Sequence, residues 1–563
     1  MADNGALAIS RGIPLAEEPG QGTLTLPGFL REVARRHGPA EAVVEHRAEG
    51  RVAWSYDDMQ ARAMAVARAL VACGVGKDSR VGILMTNRLE WVSTCFGIAM
   101  AGATVVGLST FSTADELDHL LRASGVSLLL FEPRVLGRDF AAMLRELEPA
   151  IDNAAPGALR SVRFPFLRRL VAVDAEGAGG AVEGWGVFLA HGETVDAAQV
   201  MARSDQVHPS DPALLFFSSG STGKPKGILN AHRGVCVQSW RWPRIYAVDH
   251  PVRFWSANGL FWSGNFSLAM GGTFAAGGTL VLQRTFDPGG AIRLFADERV
   301  TFPYCWPHQW AQLESAPNYA SVDLSAMHYV DRDTLLARHP TVSTDWKEPA
   351  EAYGSTETFT LITVFAANSP RDAVQGTHGI PTAGSTIKIV EPFTGETMPL
   401  GERGEIAVKG PTLMMGYLGT PLDETLDDEG FFRTNDGGFI DEKGRLHWEG
   451  RLNDIIKTGG ANVSPLEIDE IIRDCPGVKI TQTVGVPDDL LGELVVSCIV
   501  PHVGASPSEA GIKAFAKEKL ASYKVPRRVL FFAEEDLKTT GTAKIKTADL
   551  RKLAAQRLAA EAG

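Results

Sequence analysis

Two lysines and four hydroxyl side chains lie within one short glycine-rich segment of the chain. Lys224 and Lys226 carry the positive charge, and the residues before them are Ser218, Ser219, Gly220, Ser221, Thr222 and Gly223. Glycines let a backbone approach a ligand closely, and successive backbone N–H groups can then form a nest for an anion. Hydroxyl donors and ammonium groups suit the same kind of ligand. The segment therefore predicts a site for a polyphosphate.

The flanking residues separate this segment from an ordinary solvated turn and from a Walker A loop. Residues 214–217 are apolar and predict a buried strand, which the glycines and Pro225 must end. A Walker A loop needs four residues between its first glycine and its Gly-Lys pair, and Ser or Thr after the lysine. Here two residues separate Gly220 from Gly223, and Pro225 follows Lys224. A P-loop kinase or GTPase is therefore disfavoured.

Further side chains with suitable chemistry lie downstream. Tyr353 could stack on a base, the hydroxyl of Thr356 could bond a phosphate, and the carboxylate of Glu357 could bind Mg²⁺. Asp436 precedes two glycines, and it is either a turn residue or an acceptor for ribose hydroxyls. Lys544 lies in a Gly/Thr-rich tail that cannot bury it by packing. It is either a solvated surface charge or a cation delivered to an anion, and the phosphate-type motifs favour delivery.

The aromatic residues of segment 251–283 bear on the substrate. Most of them predict core packing, but some could line an apolar ligand pocket. Phe261, Trp262 and, farther along the chain, Trp306 are the candidates. No Asp or Glu occurs between Asp249 and Asp287. An amino-acid substrate is disfavoured, because its ammonium group would be costly to bury in an apolar pocket.

Length, charge and cysteine usage limit the classes of protein. A chain of 563 residues is too long for one hydrophobic core, so two or more domains are expected. The net charge of −12 disfavours a nucleic-acid partner. The six cysteines form no close pair, which predicts reduced thiols rather than disulfides or a zinc site. With no signal-peptide pattern and no transmembrane segment in the sequence, we expect a cytoplasmic protein.

Local patterns predict the elements that position these residues. Strands alternating with helices over residues 81–131 predict an α/β fold whose parallel sheet carries helices on both faces. The segment 55–58 predicts a capping box and a helix that ends at Gly74, and segment 464–467 predicts a second capping box at the start of a small α+β unit. Residues 1–21 predict a loose arm, and the Gly/Ala-rich residues 175–184 predict a surface loop.

The motifs, taken in chain order, resemble those of the adenylate-forming superfamily: acyl-CoA synthetases, adenylation domains and firefly-type luciferases. The resemblance covers nearly the whole chain. It implies a large multi-sheet ATP- and acyl-binding domain over residues 1–450 and a small, mobile α+β cap domain over 451–563. It also implies an AMP-forming ligase that uses ATP, Mg²⁺ and coenzyme A. The apolar segment points to a fatty, aryl or polycyclic side-chain acid as substrate.

The same resemblance implies a role for each motif residue. Residues 218–227 would hold the β- and γ-phosphates, and Lys544 would bridge the acyl carboxylate and the α-phosphate. Tyr353 would lie on adenine, Thr356 would contact the α-phosphate, and Glu357 would bind Mg²⁺. Asp436 and Arg451 would hold the ribose. After rotation of the cap, Lys457 and Gly460 would line the path of the CoA pantetheine.

The chain departs from the superfamily pattern at four places. Asn435 stands where Gly is common, Asn453 where the hinge residue is usually Asp or Lys, and Ala543 where Gly precedes the catalytic lysine. Residues 330–333 lack the glycine turn that contacts adenine. None of these changes removes a residue that the chemistry requires.

Three other functions fit the same resemblance. An acyl-AMP ligase would load a carrier protein instead of CoA, and a luciferase-like oxygenase would consume O₂. A non-catalytic nucleotide- or lipid-binding relative would retain the fold without the reaction. The presence of Thr356, Glu357, Asp436 and Lys544 argues against the last of these. Oligomeric state is not predicted.

Overall fold

The computed structural model describes residues 6–174, 179–218, 225–349, 352–454, 456–458, 461–488, 491–520, 524–536 and 547–562. The strands in these ranges are β1 (Ile9–Arg11), β2 (Glu41–Arg47), β3 (Gly50–Ser55), β4 (Arg80–Leu84), β5 (Thr104–Gly107), β6 (Leu128–Phe131), β7 (Arg134–Val135), β8 (Arg138–Asp139), β9 (Arg169–Ala172), β10 (Val182–Gly184), β11 (Pro212–Ser218), β12 (Lys226–Ala231), β13 (Arg253–Ser256), β14 (Thr279–Leu282), β15 (Phe302–Tyr304), β16 (Tyr353–Ser355), β17 (Thr360–Val364), β18 (Ile380–Pro381), β19 (Thr386–Val390), β20 (Gly404–Lys409), β21 (Gly416–Tyr417), β22 (Phe432–Ile440), β23 (Leu446–Arg451), β24 (Ile456–Thr458), β25 (Ala461–Val463), β26 (Val478–Asp488), β27 (Gly492–Pro501) and β28 (Arg528–Phe531).

The helices are α1 (Leu26–His37), α2 (Tyr56–Ala72), α3 (Leu89–Met100), α4 (Ala114–Ser124), α5 (Phe140–Leu147), α6 (Trp185–His191), α7 (Ala197–Asp205), α8 (His232–Ile245), α9 (Ser263–Asn265), α10 (Thr273–Ala275), α11 (Pro288–Asp297), α12 (Pro307–Glu314), α13 (Arg371–Val374), α14 (Pro465–Arg473), α15 (Glu509–Lys519) and α16 (Thr547–Ala562). A π-helical segment, Phe266–Gly272, joins α9 to α10.

The chain divides into two compact units. The larger comprises residues 11–386 and 408–432, and the smaller comprises 1–10, 387–407 and 433–563. The smaller unit thus includes chain on both sides of residue 450. The functional boundary after that residue stays a prediction.

An eight-stranded sheet, in the order β10-β9-β6-β4-β5-β11-β12-β21, is the centre of the larger unit. The first six strands are parallel. Side chains alternate between two hydrophobic clusters: Leu214 and Phe216 of β11 join the cluster of α1, α2 and α3, and Leu215 joins that of α4 and α5. The predicted α/β fold with helices on both faces is therefore confirmed.

The N-terminal region of the larger unit shows one local prediction confirmed and one wrong. Ser55 and Asp58 form the capping box of α2, which ends just before Gly74 as predicted. The predicted loose arm is instead ordered from residue 6 onward. Glu18 is buried and pairs with the buried Arg241, with 2.8 Å between Oε2 and Nη2. A buried guanidinium needs such a partner, and this fixes the arm.

Three further sheets lie in the larger unit. Their strand orders are β15-β13-β14-β2-β3, β16-β17-β18 and β7-β8. The predicted surface loop at 175–184 is wrong at its end, since residues 182–184 form the buried edge strand β10. Residues 175–178 lie outside the described part of the chain.

The smaller unit contains a sheet in the order β1-β19-β20-β22-β23 and a C-terminal sheet in which β27 pairs with β24, β26 and β28. The predicted terminal α+β unit is confirmed. Its predicted capping box is wrong: the hydroxyl of Ser464 donates to the Glu449 carbonyl oxygen at 2.5 Å, and Glu467 pairs with Lys524 at 2.6 Å. Tertiary partners replace the local cap. None of the helices in the described ranges is both long enough and apolar enough to span a bilayer.

Candidate active site

The predicted polyphosphate segment connects two antiparallel strands. Ser218 ends β11, Lys226 begins β12, and the two are direct cross-strand partners. Lys226 was predicted to lie in the loop; it is the first, exposed residue of a strand, because the pairing with β11 extends beyond what the glycines and the proline suggest. Residues 219–224 (Ser219, Gly220, Ser221, Thr222, Gly223 and Lys224) lie outside the described residues. The hairpin fixes the two ends of the segment.

The turn between β16 and β17 carries the next motif. Tyr353 is 7% exposed in β16, and Thr356 and Glu357 are half-buried in the turn. The Thr358 hydroxyl accepts from Ser355 N at 2.9 Å and donates to the Thr360 carbonyl at 2.6 Å. Phe359 and Thr360 both have positive φ, of 47° and 86°. Such backbone is costly for a bulky residue and persists where the surroundings enforce it.

Three buried phenylalanine rings join this turn to the two other predicted site segments. Phe216 of β11, Phe266 of the π-helical segment and Phe359 of the turn lie with ring centroids 6.0–6.3 Å apart in all three pairs. All three are at most 2% exposed. Offset and edge-on ring pairs at these distances are favourable. The triangle therefore holds the polyphosphate hairpin, the Glu357 turn and the aromatic segment in one arrangement.

Tyr417 is a site residue that sequence reasoning missed. Its hydroxyl donates to Glu357 Oε1 at 2.9 Å, and Lys226 Nζ lies 4.9 Å from its ring centroid. Met414 N also donates to the Glu357 carbonyl oxygen at 2.7 Å. Strand β21 pairs with β12 through Tyr417 and Ile228. The only signal in the sequence was a Gly-Tyr pair, whereas its partners lie 60 and 191 residues earlier in the chain.

Glu357 is suited to a Mg²⁺ ion. Tyr417 occupies Oε1, and Oε2 has no hydrogen bond or ion pair among the described residues. Mg²⁺ binds through one or two carboxylates and fills its remaining positions with water and substrate phosphates. A single half-buried carboxylate near Lys226 fits that requirement. The Thr356 hydroxyl is likewise without a partner in the described part of the chain.

Asp436 and Arg451 meet in the smaller unit. They are cross-strand partners in β22 and β23, with 3.0 Å between Arg451 Nε and Asp436 Oδ1. Asp436 is 6% exposed and its N–H donates to the Thr434 hydroxyl. Arg451 Nη1 donates to the Thr434 carbonyl oxygen at 3.0 Å. The two predicted ribose residues therefore form one unit of carboxylate and guanidinium.

Asn435, which stands where glycine is common in the superfamily, comes directly before Asp436 of the ion pair. Its φ is +58°, and its N–H donates to Glu405 Oε1 at 2.9 Å. Asn is one of the few residues other than glycine that adopt this conformation readily. Asparagine at 435 thus adopts a conformation that glycine would also adopt readily.

We expect Asn435→Val to lower the free energy of unfolding by about 1–2 kcal/mol, because a β-branched residue opposes positive φ. Asn435→Gly should change it by less than about 1 kcal/mol. Asn153→Val is the matched control, since Asn153 is also exposed but has a φ of −108°. Urea denaturation of each variant measures the difference. Equal losses at positions 435 and 153 would contradict the conformational argument.

For some of the remaining predicted residues of the smaller unit, only the position of the backbone is described. The others lie outside the described part of the chain. Lys457 lies in β24, with Asn462 as its cross-strand partner. Asn453 lies in the short helical turn Leu452–Asp454. Gly460, Ala543 and Lys544 lie outside the described residues. Their roles stay predictions.

The three predicted substrate residues lie in one row of aromatic rings. Phe261 and Trp262 have centroids 5.6 Å apart, and Trp262 meets Trp306 edge-on at 6.4 Å. Phe111, which sequence reasoning missed, extends the row with an edge-on contact to Phe261 at 6.0 Å. Phe261 is 6% exposed and Phe111 is 53% exposed. The row thus joins an exposed ring, Phe111, to the buried Phe261 and then to the half-buried Trp262 and Trp306.

Two further sequence features have structural partners. His232, the first residue of α8, accepts a hydrogen bond at Nδ1 from Leu26 N at 3.2 Å, and burial lowers its pKa to about 4, which indicates a structural role. In the glycine-free segment 330–333, Asp331 is buried. It pairs with Lys347 at 3.0 Å and accepts from Glu348 N. This segment is anchored by an ion pair where glycine would allow a turn.

Comparison with known families gives two matches. Residues 30–418 match the model of the AMP-binding enzyme family, and residues 467–544 match that of the AMP-binding enzyme C-terminal domain. The first match alone spans more than half of the chain.

Curated proteins and solved structures resemble the chain over nearly its full length. A 3-[(3aS,4S,7aS)-7a-methyl-1,5-dioxo-octahydro-1H-inden-4-yl]propanoyl:CoA ligase of Mycobacterium tuberculosis is 30% identical over 541 residues, covering 94% of this chain and 99% of the relative. A feruloyl-CoA synthase of an Amycolatopsis species is 30% identical over 530 residues, covering 92% and 96%. The crystal structure of the anthranilate CoA ligase AuaEII with anthranoyl-AMP superposes with a TM-score of 0.76 at 23% identity, covering 97% and 100%, which shows the shared fold.

Proposed function

Because this chain belongs to the AMP-binding enzyme family of the adenylate-forming superfamily and is an AMP-forming acid–thiol ligase, we propose that it joins an apolar, ring-containing carboxylic acid to coenzyme A at the expense of ATP. The observation that carries the proposal is the meeting of Lys226, Tyr417 and Glu357 at the end of the β11–β12 hairpin. A cation and a carboxylate that both contact one tyrosine next to a glycine-rich loop suit a nucleoside triphosphate and its metal. The acyl acceptor and the acid class are the parts that experiment must test.

In the proposed first step, a carboxylate oxygen of the acid attacks the α-phosphorus of ATP. The new acyl–phosphate bond forms as the bond to pyrophosphate breaks, giving acyl-AMP and pyrophosphate. Lys226 and the loop before it attract the leaving phosphates, and Thr356 donates to the α-phosphate. Lys544 brings positive charge to the attacking carboxylate, because two anions must meet in the transition state.

Glu357 would hold Mg²⁺, which when bound offsets the negative charge of the phosphates. The chain's own contribution is orientation. Tyr417 fixes Oε1 of Glu357, and the backbone contact from Met414 fixes its main chain. Asp436 would accept hydrogen bonds from the ribose hydroxyls, and its carboxylate is held in place by the ion pair with Arg451.

In the proposed second step, the thiol of CoA attacks the acyl carbon. The C–S bond forms, the C–O bond to phosphate breaks, and AMP and a proton leave. Acyl-AMP is a mixed anhydride that water hydrolyses, so exclusion of water by a closing cap would protect it. Lys457 and Gly460 would line the path of the pantetheine. Their placement here rests on the superfamily resemblance.

The aromatic row supports the ring-containing class of acid over simple fatty acids. Phe111, Phe261, Trp262 and Trp306 are joined by successive ring contacts, two of them edge-on. Planar or fused rings gain more from such contacts than flexible alkyl chains do. Two 30%-identical relatives are named for a feruloyl and a bicyclic propanoyl substrate, which agrees with this direction.

We expect Phe111→Ala to raise the KM for an aryl acid by about 3–10-fold, the value of one lost aromatic contact. The KM for a short aliphatic acid should not change. Phe166→Ala is a matched control, since Phe166 is 63% exposed in the same unit. Steady-state AMP formation with both acids measures the effect. A similar KM increase in both variants, or for both acids, would contradict a role for Phe111 in binding rings.

The proposed function is tested by measuring AMP formation with ATP and Mg²⁺. The acids should include short, medium and long chains, aryl acids and a steroid side-chain acid, each with and without CoA. We expect CoA-dependent AMP formation with aryl or polycyclic acids. Activity confined to alkyl acids would overturn the ring preference. Formation of acyl-AMP that CoA cannot consume, but a purified carrier protein can, would favour the carrier-loading alternative.

A further inference from the structure

A cysteine, a glutamate and a histidine that take no part in the candidate active site meet in the larger unit. The Cys73 thiol, a Glu183 carboxylate oxygen and a ring nitrogen of His191 all lie within 4.8 Å of one another. Glu183 Oε2 is 2.8 Å from His191 Nε2. Among the described residues, no other group of three or more His, Cys, Asp or Glu side chains comes this close. The three come from different elements: the end of α2, strand β10 and the end of α6.

Close packing fixes these elements against one another. Gly192 follows His191 and lies against α2, where an added Cβ would be 2.8 Å from Ala69 N. Arg68 Nε, one turn before Cys73, donates to the Val195 carbonyl oxygen at 2.7 Å. Any residue other than glycine at 192 would push the end of α6 away from Cys73. The cluster is therefore a product of the fold and does not depend on flexible surface side chains.

The burial of the three side chains also suits a ligand site. The Glu183 side chain is 3% exposed, whereas that of His191 is 39% exposed, which gives access from solvent. The Cys73 thiol makes no side-chain hydrogen bond among the described residues, although its backbone N–H donates to the Ala69 carbonyl oxygen. A ligand that enters the cluster therefore displaces no hydrogen bond of the thiol.

We propose that Cys73, Glu183 and His191 bind one Zn²⁺-type divalent ion through sulfur, oxygen and nitrogen, with a fourth position open to water. Thiolate, imidazole and carboxylate together favour zinc or a similar borderline metal over Mg²⁺ or Ca²⁺. Zinc bonds of about 2.0–2.3 Å require the cysteine to approach and the Glu–His pair to open slightly. The ion would join the end of α2 to the edge strand β10 and the end of α6.

Arg169 is the main competitor for the same carboxylate. Its Nη1 lies 2.5 Å from Glu183 Oε1 and 3.3 Å from His191 Nε2. It can keep Oε1 while Oε2 turns to a metal, but its charge repels a cation. Removing that charge should therefore strengthen metal binding. If Arg169, Glu183 and His191 formed only an ordinary ion-pair network, metal would bind neither to the parent protein nor to a variant that lacks the Arg169 charge.

The experiment is titration of the reduced, metal-free full-length protein with Co²⁺, followed by displacement with Zn²⁺. We expect one equivalent to bind with a near-ultraviolet thiolate-to-cobalt band, and Zn²⁺ to abolish that band and raise Tm. Cys73→Ser should remove the band, and His191→Gln should weaken binding by about tenfold or more. Arg169→Gln should tighten it.

Two variants serve as controls for ordinary thiols and surface histidines. Cys475→Ser removes another thiol, and His208→Gln removes an exposed histidine; both should bind Co²⁺ as the parent does. The proposal is overturned if the parent shows no thiolate band, or if Cys73→Ser retains it. It is also overturned if His208→Gln weakens binding as much as His191→Gln. None of these readouts depends on ligase activity.

Discussion

Replacement of Glu357 by glutamine is expected to reduce acyl-AMP formation by about 10²–10³-fold, the usual cost of losing one charge that faces the transition state. Glutamine has the size of glutamate but lacks the negative charge that Mg²⁺ requires. The main chain should hold, because Met414 N contacts the Glu357 carbonyl oxygen and not its side chain. Pyrophosphate release across a range of Mg²⁺ concentrations measures the effect, and thermal stability should stay close to that of the parent.

Tyr417→Phe separates the charge of Glu357 from its orientation. Phenylalanine keeps a ring beneath Lys226 and removes only the hydroxyl that donates to Glu357. We expect acyl-AMP formation to fall by about tenfold, the lower end of the range for losing a hydrogen bond to a charged group. A higher Mg²⁺ concentration should restore part of the activity of Tyr417→Phe, whereas the activity of Glu357→Gln should stay low. Glu402→Gln, an exposed carboxylate in the other unit, is the control. Full activity of Glu357→Gln at limiting Mg²⁺ would refute the metal role.

The sequence predictions succeeded where the structure depends on interactions between residues that are close together in the chain. The capping box at Ser55 and the buried strand at 214–217 depend on residues within a few positions of each other. Both are present in the structure. Ser464 shows the limit, because a distant carbonyl, that of Glu449, replaces the local cap. Lys226 shows another limit, since it pairs with Ser218 as a strand residue although the sequence placed it in the loop.

The arrangement of the candidate site could not be predicted, because it depends on contacts between residues that are far apart in the chain. The triangle of Phe216, Phe266 and Phe359 joins segments up to 143 residues apart, and each ring in isolation is an ordinary core residue. Tyr417 reaches Glu357 only because β21 pairs with β12. Cys73 was predicted to be an ordinary reduced thiol, and its neighbours Glu183 and His191 are more than a hundred residues away in sequence.

A pair of lysine variants should separate the two half-reactions. We expect Lys544→Ala to reduce acyl-AMP formation from acid and ATP by at least about 10²-fold, since it removes the charge that offsets two anions. Conversion of supplied acyl-AMP and CoA to thioester should remain near the parental rate. Lys457→Ala should show the reverse pattern, because it would act on the CoA path only. Both half-reactions are measured separately, by pyrophosphate release without CoA and by thioester formation without ATP.

The proposal that the cap has two states predicts that the two variants affect opposite half-reactions. A general loss of folding would reduce both half-reactions in either variant, and Lys517→Ala, an exposed lysine in α15, controls for charge removal alone. If Lys544→Ala lost both half-reactions equally, one arrangement would serve both steps and the rotation of the cap would be refuted. If Lys457→Ala left the thioester rate unchanged, β24 would not line the CoA path. Opposite losses would mean that Lys544 serves acyl-AMP formation and Lys457 serves thioester formation.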